Sequence, residues 1–280
     1  MSIGPSAGAP VPFAVPERLQ LVDSTNRYLA DLVRAGVVAG SEPPAGYAVV
    51  AEQQSAGRGR LDRRWEAPAG SAVLCSILFR PDLAVEQLHL TAWAVALAAT
   101  QACRETAGVE LSIKWPNDLL VGERKLGGIL SEIVAAGPSA NAPDAPRRPP
   151  SVVVGLGLNL NWPSAWPPEG SKDPELASIA AHAAALNRVV GHEIDRDELT
   201  AGLLCSAGKW NEELASKEGR LRLSSAYRRS CSTIGREVRV ELADETVFGT
   251  ALDLDDAGCL LVSTGTCLRT IAAGDVVHVR

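Results

Sequence analysis

The chain changes hydrophobic period repeatedly along its length. Arg18 to Val22 has the short alternation of a strand, and Asp23-Ser24-Thr25-Asn26 then supplies N-cap chemistry for a helix running to about Ala35 and ending at Gly36. Tyr47 to Glu52 is apolar enough for a buried strand, whereas Gln54 to Arg64 is polar, rich in Gly and Arg, and reads as a loop. Ser71 to Phe79 alternates as a strand and Val85 to Thr106 carries the spacing of a core helix. Glu110 to Trp115, Asp118 to Val121 and Leu126 to Val134 predict an antiparallel meander with turns at Pro116-Asn117 and Gly122-Glu123. Ser151 to Leu160 is a further strand, and Glu175 to Glu218 holds two or more amphipathic helices. Past a composition shift at Cys231, five short alternating segments predict a small all-β barrel: Gly235 to Leu242, Thr246 to Leu254, Cys259 to Val262, Cys267 to Ile271 and Val276 to Val279.

This pattern divides the chain into a Pro/Ala/Gly-rich tail over 1–16, expected to be disordered, a large domain over 17–230, and the barrel over 231–280. An exposed, Pro-rich insertion is expected at 135–150. A hydrophobic content of 46% over 280 residues is enough for a buried core, and a net charge of -6 argues against a general nucleic-acid or anionic-membrane binder. Six scattered cysteines without a CxxC pair suggest neither a disulfide framework nor a structural metal site, and no signal peptide is evident, so a cytoplasmic location is expected. The apolar stretch from Leu88 to Ala102 is too short to span a bilayer and reads as core.

Against that acidic background, Gly57-Arg58-Gly59-Arg60 with Arg63, Arg64 and Trp65 is conspicuous. Guanidinium groups flanked by glycines suit carboxylate and phosphate oxygens, so the loop reads as an anion clamp, with a solvated basic loop as the bland alternative. Lys114-Trp115-Pro116-Asn117-Asp118 and Arg124-Lys125-Leu126-Gly127-Gly128 bring further charge to strand ends, although Asp118 could simply cap the turn. Gly155-Leu156-Gly157-Leu158-Asn159 lacks the third glycine of a dinucleotide fingerprint, and no Walker A segment occurs. His89, His182, His192 and His278 are well separated and read as ordinary residues, and no metal site is expected.

Four segments together, DSTN at Asp23, AEQQSAGRGR at Ala51, KWPNDLLVGERKLGGILSE at Lys114 and VVVGLGLNLNWP at Val152, resemble those of the biotin protein ligases in order and spacing. The resemblance covers about residues 18 to 280. It implies an α+β fold with a central mixed, largely antiparallel sheet flanked by helices, similar to class II aminoacyl-tRNA synthetases, plus a C-terminal SH3-like β-barrel. It implies an ATP-dependent ligase that forms biotinyl-5'-AMP and transfers biotin to a lysine of a biotin carboxyl carrier domain, with Mg²⁺ accompanying ATP. Larger relatives begin with a winged-helix DNA-binding domain, whereas about 17 residues precede the first strand here, so repressor function is expected to be absent.

By position, the resemblance assigns biotin binding to Ser24, Thr25, Asn26, Gln54, Gly57, Arg58, Gly59, Arg60, Lys125, Gly128 and Gly155. It assigns ATP and adenylate binding to Arg58, Arg60, Trp65, Lys114, Asn117, Lys125 and Asn159. Arg58, Arg60 and Lys125 would stabilise charge at the α-phosphoryl group, and Asp118 would act as a base or orienting group for the acceptor amine. The rival readings are a lipoate or octanoate transferase of the same fold and a non-catalytic nucleic-acid-binding module. The arginine loop is further expected to order over the site, across residues 55 to 65, when biotin binds.

Overall fold

The computed structural model describes residues 13–135, 149–167 and 172–279. The expected insertion and most of the expected tail lie outside the described residues, while Phe13 packs edge-on against Phe79 with ring centroids 5.7 Å apart.

The first strand, β1 (Glu17–Val22), leads through α1 (Thr25–Ala39) to β2 (Ala48–Gln54), and a strand–helix–strand crossover of this kind makes β1 and β2 parallel. β3 (Ala72–Phe79), α2 (His89–Ala107), β4 (Ser112–Lys114), β5 (Asp118–Val121), β6 (Arg124–Ala135) and β7 (Ser151–Asn159) follow. All other pairings in the sheet are antiparallel, and its order is β1-β2-β3-β7-β6-β5-β4. The mixed, largely antiparallel sheet and the meander are therefore as the hydrophobic pattern and the resemblance imply.

Two helix ends differ from the sequence reading. α1 runs past Gly36 to Ala39 and stops at Gly40, whose φ of 70° gives the left-handed C-cap. Gly36 instead sits where the helix meets the returning chain, and a Cβ there would stand 2.7 Å from the Glu42 Cα. Val85 to Gln87 form a 3-10 turn, so α2 begins only at His89.

α2 is buried nearly all round, as its alanine-rich, uncharged centre dictates, and packs against the sheet beside α5 (Arg196–Glu213) and α6 (Lys217–Ser230). The short helices α3 (Pro174–His182) and α4 (Leu186–Val190) precede α5. α1 covers the opposite face through Leu29 and Val33 against Val49, Leu78 and Val153.

The last strands, β8 (Glu237–Glu241), β9 (Thr246–Leu254), β10 (Leu260–Ser263), β11 (Leu268–Ile271) and β12 (Asp275–His278), form an antiparallel sheet of order β11-β10-β9-β8-β12, the small C-terminal unit expected. It docks on β4: Ser232 N–H donates to the Ile113 carbonyl (2.8 Å), Trp115 N–H to Thr233 Oγ1 (3.0 Å), and Trp115 Nε1–H to the Gly258 carbonyl (3.0 Å).

Candidate functional site

Beside the N-terminus of α1, against Gly128 to Leu130 of β6 and Gly155 to Gly157 of β7, lies a cavity of about 130 Å³, walled by segments spread from Ser24 to Asp275. Its floor is a row of polar groups. Gln54, the last residue of β2, accepts through Oε1 from the Thr25 backbone N–H (2.8 Å) and from the Thr25 hydroxyl (3.1 Å). Ser24 occupies the N-cap position but its side chain makes no capping bond, so this first-turn N–H of α1 is satisfied from the neighbouring strand. Ser76 of β3, fully buried, places its hydroxyl 2.8 Å from Thr25 Oγ1 and 2.6 Å from Asn26 Oδ1. Asn26 Nδ2 donates to the Leu130 carbonyl (3.1 Å) and to the Glu132 carboxylate (2.8 Å).

Bare backbone on β7 makes room for this row. A Cβ on Gly155 would collide with the Asn26 amide, and one on Gly157 would stand 2.5 Å from the Trp65 indole. Trp65 thus lies against the β7 backbone, with its buried Nε1 lacking a hydrogen-bond partner among the described residues.

The Gly/Arg loop is more regular than the sequence suggests. Gly59 N–H donates to the Arg63 carbonyl (2.7 Å) and Trp65 N–H to the Gly57 carbonyl (3.0 Å), closing a small hairpin whose tip residues Leu61 and Asp62 take φ values of 54° and 58°. The hairpin carries Arg58, Arg60, Arg63 and Arg64 to the cavity mouth. Arg58 pairs with Glu132 (2.8 Å), Arg60 donates to Asn117 Oδ1 (3.3 Å), and Arg63 is ion-paired with Asp275 of β12. Burial lowers the Arg60 pKa, an effect opposed by Asp118 and Asp275 and reinforced by Arg63.

Opposite the hairpin, the Lys114–Asp118 turn and β6 supply Lys125, whose Nζ is 2.5 Å from Asp118 Oδ1. Asn117 Nδ2 donates to the Ile129 carbonyl (2.9 Å), which fixes its Oδ1 toward Arg60. The cavity wall therefore holds Arg58, Arg60, Arg63, Arg64, Lys114 and Lys125 against Asp118 and Asp275. This cationic surplus at one end and neutral donors and acceptors at the other suit a ligand with an anionic group and an uncharged polar ring.

Of the residues the sequence analysis assigned, Ser24, Thr25, Asn26, Gln54, Arg58, Gly59, Arg60, Trp65, Lys114, Asn117, Asp118, Lys125, Gly128 and Gly155 all line this cavity. Two do not. Gly57 lies behind the hairpin, against the Trp65 carbonyl. Asn159 is buried at the end of β7, where its amide donates to the Ala184 carbonyl (3.0 Å), outside the cavity lining. Sequence reasoning missed Ser76 and Glu132, both polar positions inside otherwise apolar strands, which was a usable signal. It also missed Gly274 and Asp275, which no local pattern marks.

Among the described residues, no group of three or more His, Cys, Asp or Glu could hold a metal ion, all six cysteines are free, and no helix is long and apolar enough to cross a membrane.

Comparison with known proteins adds names to this geometry. Residues 19–142 match the Biotin/lipoate A/B protein ligase family and residues 233–279 match the Biotin protein ligase C terminal domain. The chain is 32% identical to the biotin--[acetyl-CoA-carboxylase] ligase of Mycobacterium tuberculosis over 269 residues, covering 94% of this chain and 90% of that one. It is also 32% identical to the bifunctional ligase/repressor BirA of Bacillus subtilis, covering 85% of this chain and 68% of that relative. In fold it is similar to the biotin protein ligase of Aquifex aeolicus in complex with biotin and ATP, with a TM-score of 0.70 and 24% identity over 94% of this chain and 97% of that one.

Proposed function

The chain belongs to the biotin protein ligase family, and on that premise we propose that it activates biotin with ATP to biotinyl-5'-AMP and passes the biotin to a lysine of a biotin carboxyl carrier domain. The observation that carries this reading is the meeting, in one cavity, of the neutral Thr25–Gln54 row with the cationic groups Arg60 and Lys125.

In the first step a biotin carboxylate oxygen attacks the α-phosphorus of ATP and pyrophosphate leaves. Thr25 and Gln54 hold the ureido ring, beside Ser24 and Asn26, and the bare backbone at Gly128 and Gly155 lets the bicycle sit close to the sheet. Arg58, Arg60 and Lys125 then face the α-phosphoryl group. Fixed charges in a water-poor site stabilise developing negative charge without reorganising, and one such contact contributes on the order of a hundred- to a thousand-fold in rate. Trp65 offers a face for adenine, with Lys114 and Asn117 nearby. Mg²⁺ arriving with ATP would be held mainly by phosphate oxygens and water, since the carboxylates on the wall are already paired with Lys125 and Arg63.

In the second step the acceptor lysine attacks the mixed anhydride and AMP leaves. Such an amine, with an ordinary pKa near 10.4, needs about 4 to 5 kcal/mol to lose its proton at pH 7. Asp118, at the cavity edge, receives or orients that proton. The family description embraces biotin and lipoate enzymes alike, but the relatives that match over most of the chain bear biotin ligase names, and the polar floor suits a ureido ring better than an alkyl chain. The division into a catalytic unit over 17–230 and a C-terminal unit over 231–280 belongs to the same reading, as does a cytoplasmic setting, which the free cysteines support.

The test is incubation with ATP, Mg²⁺, biotin and a carrier domain bearing its acceptor lysine. A mass gain of one biotin is expected. Gain with lipoate alone, or no pyrophosphate from ATP plus biotin, would overturn the assignment.

A further inference from the structure

We propose that Glu132 of β6 is the positioning residue that ties the arginine hairpin to the polar floor of the pocket, a role that rests on the ligase reading above. Glu132 is not part of the cavity wall, yet each of its carboxylate oxygens is committed to a group that is. Oε1 accepts from Arg58 (2.8 Å) and Oε2 from Asn26 Nδ2 (2.8 Å). These two partners come from different elements, the hairpin and the first turn of α1, whose backbones are joined only at their bases among the described residues, by Ser55 N–H to the Val22 carbonyl and Ala56 N–H to the Asp23 carbonyl (2.9 Å each).

The carboxylate and the Leu130 carbonyl together set the polarity of the row. Both can only accept, so Asn26 turns Nδ2 toward them and Oδ1 toward Ser76. Ser76 Oγ then lies within donating distance of both Asn26 Oδ1 (2.6 Å) and Thr25 Oγ1 (2.8 Å), and the Thr25 hydroxyl donates to Gln54 Oε1 (3.1 Å). The same charge anchors Arg58 across the pocket mouth before any anion arrives, and charge-assisted bonds of this kind hold a side chain better than neutral ones. Glu132 therefore acts through Arg58 and Asn26, on binding, without touching the reacting atoms.

Glu132→Gln keeps the shape and removes the charge, leaving the Leu130 carbonyl to orient the Asn26 amide. The measurements are KM for biotin and kcat in biotin-dependent pyrophosphate release, and hydrogen exchange of residues 57–65 in the free enzyme. KM is expected to rise about tenfold, with any fall in kcat smaller than the rise in KM, and hairpin exchange is expected to accelerate. Arg58→Met should accelerate hairpin exchange equally, and the double variant no more than either single one. Unchanged KM and exchange, a fall in kcat with KM unchanged, or hairpin exchange in Arg58→Met equal to wild type would each overturn the proposal. Wild-type enzyme that releases no pyrophosphate would instead overturn the ligase reading itself.

Discussion

Lys125 Nζ lies 2.5 Å from Asp118 Oδ1, across the adjacent strands β6 and β5 that meet in register at Gly128 and Asp118. The lysine proposed to face the phosphoryl group and the carboxylate proposed to meet the acceptor amine are one ion pair. Asp118→Asn is therefore expected to slow pyrophosphate release about tenfold as well as the transfer step, because it frees Lys125. A variant slowed only in transfer, seen by supplying preformed biotinyl-5'-AMP, would show that Asp118 acts as a base alone.

Lys125→Ala and Arg60→Ala remove charge directly. Each is expected to lower the rate of adenylate formation by about a hundred- to a thousand-fold, with near-native circular dichroism, since both side chains line a cavity and neither belongs to the core. Quenched-flow measurement of pyrophosphate checks this.

The hairpin at 57–65 presents Arg58, Arg63 and Arg64 to solvent. Trypsin should cut there in the free enzyme, and biotin with ATP should slow cutting by about tenfold or more as the hairpin closes on the ligand. Equal cleavage with and without ligands would show that the hairpin is already fixed.

Gly157→Ala puts a methyl group 2.5 Å from the Trp65 indole. The ring must move off β7, at a cost of about 1 to 3 kcal/mol, and KM for ATP should rise more than KM for biotin. Urea unfolding and separate substrate titrations distinguish the two effects.

His278 of β12 is pushed down to about 4 by burial, with Lys114 and Arg236 adding to the shift and Glu123 opposing it. Its ring also lies 3.1 Å from Thr233 Oγ1. An unfolded histidine titrates near 6.5, so between about pH 6.5 and 4 the unfolded chain binds a proton that the folded one refuses, and stability falls as pH falls through that window. The group is half-exposed, which reduces the loss to about 1 to 2 kcal/mol. His278→Gln should flatten the stability profile between pH 4 and 7, while leaving stability at pH 8 changed only by the loss of the ring's contacts with Thr233 and Arg236.

Much of this architecture was legible in the residues because strands such as β1 and β7 carry an alternation or a long apolar run, and the Gly/Arg hairpin stands out against an acidic chain. The end of α1 was misread because Gly36 and Gly40 are equally plausible stops in sequence. Only the close approach of Glu42 shows that the first serves packing and the second serves capping. Asn159 is assigned to the nucleotide by the family resemblance alone. The carbonyl that claims its amide comes from Ala184, a residue that strand periodicity cannot locate. Asp275 was invisible for the same reason, since its partner Arg63 lies 212 positions away.

That last pairing reaches into the cell's assembly line. Because β12 carries Asp275 to the rim of the pocket, a nascent polypeptide synthesised only as far as residue 274 has its arginine hairpin but not the carboxylate that pairs with Arg63. Full activity should therefore switch on late, after the C-terminal unit has emerged and docked, so that a half-made enzyme holds no finished chamber in which to trap a reactive anhydride.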